Sequence, residues 1–223
     1  PLTINSELHA LLEQANVPAS YIMAGHSYGA ILTRVYAEQY PDEVAGIVLV
    51  DSQLVTPKHF ANQSEFDQNQ SYWNVVGAVG SALTRLGLTR VTSMTTFQGA
   101  GYPAEIVPEL TGLQARNQVF DAYYAENGPA FPLLQEASAD AENLDDLPVI
   151  ILWASQTHDM NQSNPNLAGL TDELSTYSFN TATRIVEGAD HGSIIGNEQY
   201  AQQVTDAVLD VIEAALTGEA MEQ

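Results

Sequence analysis

The sequence predicts an α/β domain built on a parallel sheet and interrupted by a mostly helical insertion. Three observations carry this. Short apolar runs of strand length alternate with stretches of helical periodicity at both ends of the chain. The run Tyr21–Ala24, the helical stretch after it and the run Ala45–Val50 have the spacing of a strand–helix–strand unit. Between Gln53 and Asn143 the pattern changes to Gln-, Asn-, Gly- and Ala-rich sequence with helical patches.

In chain order, Leu8, Leu11, Leu12 and Ala15 recur at helical spacing, with Ser6 as the expected cap and Pro18 as the stop. Tyr21–Ala24 reads as a buried strand that ends abruptly at Gly25-His26-Ser27-Tyr28-Gly29. Ile31/Val35 and Leu32/Tyr36 then form i, i+4 pairs on a helix that Pro41 ends. Ala45–Val50 is a second buried strand, ending at Asp51. In the middle, Val76, Val79, Leu83 and Leu86 are expected to share one helical face. Leu110, Leu113 and Tyr123 belong to a further helical stretch, and Phe97–Pro103 is expected to be a loop. Val149–Ala154 and Thr183–Val186 resume the strand pattern, and Val204, Val208, Val211, Ile212 and Ala215 close the chain as an amphipathic helix. The division is therefore a first core part, 1–55, a helical insertion, 56–143, and a second core part, 144–223.

Composition narrows function. The chain has 223 residues, 45% of them hydrophobic, with 28 acidic groups against 6 basic ones and a formal charge of −22. Lys58 is its only lysine. A surface this negative repels phosphate backbones and anionic membranes, which argues against nucleic-acid or membrane partners. With no cysteine there is no disulfide, no thiol nucleophile and no thiolate metal site. No apolar run is long enough to cross a bilayer, and no positively charged start precedes an apolar stretch, so the default expectation is a cytoplasmic protein.

The chemistry centres on Ser27. A serine hydroxyl is a poor nucleophile unless it is exposed, served by a base and placed beside oxyanion donors. A sharp strand-to-helix turn provides the exposure. Gly25 and Gly29 flank it where a Cβ is expected to collide with backbone, and His26 is expected to pack inward. The turn opens a helix, whose N-terminus favours developing negative charge, with the Tyr28 N–H as first oxyanion donor. Of the five histidines, His9 is expected to face solvent and His59 lies in the insertion. His191 follows a strand through the turn Glu187-Gly188-Ala189-Asp190 and is the favoured base, with His158 its competitor. Asp159, beyond the strand Val149–Ala154, is the favoured acid, and Asp51 is the alternative. Asp190 is too close in sequence to His191 to orient its ring. No H-x-x-x-H spacing occurs, so neither a metal nor a cofactor is expected.

GHSYG between a strand and a helix, IVLVDS at the end of the next strand, and then LPVIILWA and ADHGS together resemble α/β-hydrolase-fold serine esterases. The likeness spans both ends of the chain, with the middle as a cap-like insertion. It implies a partial version of that fold, about four mainly parallel strands flanked by helices. It also implies Ser27 as nucleophile, Asp159 as acid and His191 as base of an esterase, while the small, weakly hydrophobic residues of the insertion suggest small or short-acyl esters. Serine at the elbow sets the chain apart from dehalogenases and epoxide hydrolases of this fold, which carry Asp there. Members of the family normally begin with further strands and a loop that supplies a second oxyanion donor. Without them the strand Tyr21–Ala24 is an apolar edge, expected to pair with a second copy or with a preceding portion of a longer protein. The alternative function is a truncated relative that binds a ligand or partner without turnover.

Overall fold

The computed structural model describes residues 2–52, 63–88, 101–114, 116–119, 121–122, 143–165 and 167–221. Chain order is α1 (Leu2–Gln14), β1 (Tyr21–His26), α2 (Tyr28–Gln39), a 3-10 turn (Pro41–Glu43), β2 (Val44–Val50), α3 (Gln63–Arg85) and α4 (Val107–Gln114). It continues with β3 (Val149–Ala154), α5 (Ser155–Ser163), α6 (Leu170–Leu174), β4 (Thr181–Val186), α7 (Ser193–Gly196) and α8 (Glu198–Thr217).

The strands form one parallel sheet in the order β1-β2-β3-β4. Their side chains alternate between two cores, as the period of two requires. Ile47, Leu49, Val149, Ile151 and Trp153 pack with Ala30, Ile31 and Val35 of α2 on one face. Val48, Val50, Ile150, Leu152 and Ala154 pack with Ile194, Ala207 and Val211 on the other. Burial on both faces explains why β2 and β3 read as unbroken apolar runs. Gly46 sets the contact with α8, because a Cβ there would stand 2.4 Å from Val211 Cγ1. Strand β1 pairs with β2 alone among the described residues.

Several local expectations are corrected. Ser6 lies inside α1 and bonds back to the Leu2 carbonyl at 2.9 Å, so it is not the cap. His9 is not solvent-facing: its ring stacks on Tyr40 at 4.2 Å, and its Nδ1 lies 3.2 Å from the Glu43 carboxylate. Val76, Val79 and Leu83 do lie on one helix, α3, at the expected spacing, whereas Leu86 falls just past its end; Val79 and Leu86 are exposed. Leu110 and Leu113 do lie on one helix, α4. Tyr123, His59 and the first part of the expected loop at 97–103 lie outside the described residues. No helix among the described residues is long and apolar enough to cross a membrane.

Candidate active site

β1 ends at His26 and α2 begins at Tyr28, so Ser27 alone makes the turn. It does so at φ 58°, ψ −120°, a conformation an L-residue enters only under constraint, at a cost of about 1–3 kcal/mol. The constraint is visible. The Ser27 N–H donates to the Val50 carbonyl at 2.9 Å, and the Ser27 carbonyl accepts from Ala30 N–H at 3.2 Å. Gly25 is required by the turn, since a Cβ there would lie 2.2 Å from the Gly29 carbonyl oxygen. The expectation for Gly29 does not hold: no described atom comes within 4 Å of where its Cβ would be. Tyr28, the first residue of α2, places its N–H at the positive end of the helix beside Ser27.

Asp51 ends β2, the neighbour of β1, in a left-handed conformation that Asp tolerates (φ 43°). Its side chain is fully buried, so its charge requires donors on every side. They are present. Oδ1 accepts from the Ala154 N–H at 3.0 Å, and Oδ2 accepts from the Thr157 hydroxyl at 2.8 Å and faces His191 Nδ1 at 2.6 Å. A carboxylate can only accept, so His191 carries its proton on Nδ1. The neutral ring then presents a bare Nε2, to which the Ser27 hydroxyl donates at 3.0 Å. The His191 side chain remains 39% exposed, so the chain Ser27–His191–Asp51 opens to solvent at its reactive end.

His191 and Ser27 thus come together as the sequence predicts, but the carboxylate that meets His191 is that of Asp51 and not that of Asp159. The reason lies at the end of β3. That strand passes without a loop into α5, whose first turn carries Thr157 toward Asp51 and whose outer face carries Asp159 into solvent, 84% exposed. His158 Nδ1 lies 3.7 Å from the Asp159 carboxylate, on the same helix and away from the Ser27–His191 pair. Asp51 follows a strand directly adjacent to the serine strand, and the Asp51 N–H, donating to the Leu152 carbonyl at 2.7 Å, fixes its turn to β3.

Three further residues make contacts at the site that their places in the sequence do not announce. Thr157 is one. Asp190, set aside as an acid, shapes the base loop: its carboxylate accepts from the Gly192 and Ser193 N–H groups at 2.9 and 2.8 Å. Those bonds, the Ser193 N–H first, hold its carboxyl below the usual Asp range. His26 is the third. It is half-buried, and its Nε2 lies 2.8 Å from the His191 carbonyl oxygen. Burial, and then the neighbouring His191, lower its pKa and favour the neutral ring. Gly101 (φ 76°) lies close against Asn197, where a Cβ would stand 2.6 Å from Asn197 Cβ. Among the described residues, no three His, Cys, Asp or Glu side chains are arranged to hold a metal ion.

A sequence profile described as the alpha/beta hydrolase fold matches residues 2–198. An uncharacterized protein of Schizosaccharomyces pombe is 26% identical over 180 residues, 81% of this chain and 32% of its own length, so the chain spans about a third of that relative. Among solved structures, an alpha/beta hydrolase enzyme from a Medee basin deep-sea metagenome library superimposes with a TM-score of 0.57 at 17% identity, covering 98% of this chain and 72% of the other. A variant of a Bacillus megaterium epoxide hydrolase, complexed with its product, gives 0.62 at 15% identity, with coverages of 94% and 74%. At these identities the structural likeness speaks for the fold alone.

Proposed function

This chain belongs to the alpha/beta hydrolase fold family, and we propose that within it the chain is a serine hydrolase of carboxylic esters that works through Ser27, His191 and Asp51. The observation that carries the reading is the continuous bond path from buried Asp51 through His191 to Ser27 at a strained strand-to-helix turn. A serine so placed has its base 3.0 Å away and a helix N-terminus beside it, which are two of the aids its hydroxyl needs.

The steps follow from the proton positions. Ser27 Oγ attacks the acyl carbon while its proton passes to His191 Nε2, and the carbonyl oxygen takes the negative charge. The Tyr28 N–H is the donor we assign to that oxyanion. Asp51 carries a full negative charge beside Nδ1, so it stabilises the imidazolium and holds the ring in the required tautomer. Collapse of the tetrahedral species breaks the ester C–O bond, and the alcohol leaves with the proton from Nε2. Water then attacks the acyl-enzyme with His191 again as base, and the acid departs as Ser27 regains its proton. With serine at the elbow the covalent intermediate is an acyl ester, which suits esters rather than epoxides or halides. The weakly hydrophobic insertion favours small or short-acyl substrates.

The test is hydrolysis of p-nitrophenyl acetate by the purified chain beside Ser27→Ala and His191→Ala. Activity lost in both variants supports the reading. Activity unchanged in Ser27→Ala, or absent from well-folded parent protein, removes it.

A further inference from the structure

We propose that His26 is a positioning residue for the base: its Nε2–H grips the main chain of His191 and keeps the imidazole in register with the serine strand while Ser27 is acylated. The proposal rests on the reading of Ser27 and His191 as nucleophile and base.

Among the described residues, the loop that carries His191 is anchored by few bonds to the rest of the fold. The Asp190 bonds to Gly192 and Ser193 are internal to the loop and fix its shape, not its place. Two other bonds tie it to the junction of β3 and α5: Gly188 N–H to Ser155 Oγ at 3.0 Å, and Gln156 N–H to the Ala189 carbonyl at 3.2 Å. That junction is two strands away from β1. Among the described residues, the direct polar ties between the loop and the serine strand come from the neighbouring residues Ser27 and His26.

These two ties differ in what the reaction does to them. The Ser27 hydroxyl gives up its proton in the first step, and in an acyl-enzyme its Oγ is an ester oxygen with nothing to donate. The second tie joins a ring nitrogen to a backbone carbonyl, neither of which reacts. A carbonyl can only accept, so His26 carries its proton on Nε2 throughout. Its ring also lies against that of His191, with centroids 4.6 Å apart and planes tilted by 34°, which limits where the base can swing. The chemistry is sensitive to such placement, and a misplacement of about 1 Å can cost roughly 100-fold in rate.

Two substitutions separate the donor from the ring. His26→Phe keeps an aromatic ring and removes the donor, whereas His26→Gln keeps an N–H donor near the Nε2 position. With p-nitrophenyl acetate, His26→Phe is expected to lower kcat about 10- to 100-fold, with KM falling in proportion because acylation, and so kcat/KM, is little changed. It is also expected to show a burst of p-nitrophenol, because deacylation becomes the slow step. His26→Gln is expected to recover most of the lost kcat. Wild-type kcat in folded His26→Phe, or equal damage in both variants, overturns the proposal. If Ser27→Ala is inactive while His26→Phe is unimpaired, this inference fails and the proposed function stands. If the parent itself fails to turn over, or His26→Phe does not fold, imidazole 15N NMR of the parent decides. A slowly exchanging Nε2–H on His26 supports the tie, and an Nδ1–H tautomer or rapid exchange overturns it.

Discussion

The Thr157 hydroxyl donates to Asp51 Oδ2, the same oxygen that faces His191 Nδ1. Two segments distant in sequence thereby meet on one atom of a fully buried carboxylate, and with the Ala154 N–H on Oδ1 they satisfy its charge. The structure therefore separates Asp51 from Asp159, the aspartate that the sequence favoured.

Asp51→Asn is expected to lower kcat for ester hydrolysis by about 10⁴-fold, the magnitude known for the corresponding change in another serine triad, because the amide stabilises the wrong His191 tautomer. Asp159→Asn, at an 84% exposed position, is expected to leave kcat unchanged. Steady-state kinetics on the two purified variants checks both outcomes. Equal losses would place the acid elsewhere.

Thr157→Val keeps the shape and removes one donor from Asp51. A buried charge short of one hydrogen bond destabilises the fold by about 1–3 kcal/mol. At this chain length each kcal/mol lowers Tm by about 2–4 °C. Thr157→Ser is expected to restore both Tm and kcat, as differential scanning calorimetry and ester kinetics would show.

The two elbow glycines are expected to behave differently. Gly25→Ala forces a methyl group to within 2.2 Å of a backbone oxygen, and the turn must distort or fail to form. Gly29→Ala meets no described atom within 4 Å and is expected to keep its fold. Circular dichroism and soluble yield compare them directly.

Much of this was legible in the sequence because local patterns report local structure. Apolar runs located each of the four described strands, and the turn between β1 and α2 marked Ser27. His191 was legible because it follows a strand through a turn rich in loop-forming residues. The carboxylate that meets His191 was not, because Asp51 and Asp159 both follow strands. What separates them is the direct passage of β3 into α5, which turns Thr157 inward and Asp159 outward. His26 and Asp190 escaped for a related reason, since their roles depend on contacts across the sheet or within a folded loop. His9 looked exposed because its partners, Tyr40 and Glu43, lie far along the chain.

Two pH effects follow from the shifts. His26 is pushed below its usual value of 6.5 by burial first and by His191 next, with the opposing pull of the Asp51 charge and of its bond to the His191 backbone. The unfolded chain therefore binds the proton more readily, so its contribution is complete above pH 6.5 and is lost as pH falls toward the folded value. Asp190 is depressed below 3.8, so its contribution is present above that value and is lost as pH falls through the folded pKa. Melting curves from pH 7 to 3 are expected to show a shallower decline in His26→Gln between pH 6.5 and 5, and in Asp190→Asn below pH 4.

With 28 acidic groups against 6 basic ones, self-repulsion opposes the compact state. Raising NaCl from about 0.01 to 0.5 M shortens the screening length from about 30 Å to a few ångströms and is expected to raise Tm. A flat or falling Tm across that range would show that repulsion between surface carboxylates does not limit stability.

On the proposed function, Ser27 is a nucleophile activated by His191 and Asp51. Labelling the folded chain with a fluorophosphonate and locating the adduct by peptide mass spectrometry tests it most directly. One adduct on Ser27, absent from Ser27→Ala and formed much more slowly in Asp51→Asn but not in Asp159→Asn, is the predicted result. An adduct on another residue, or none on folded protein, would contradict it.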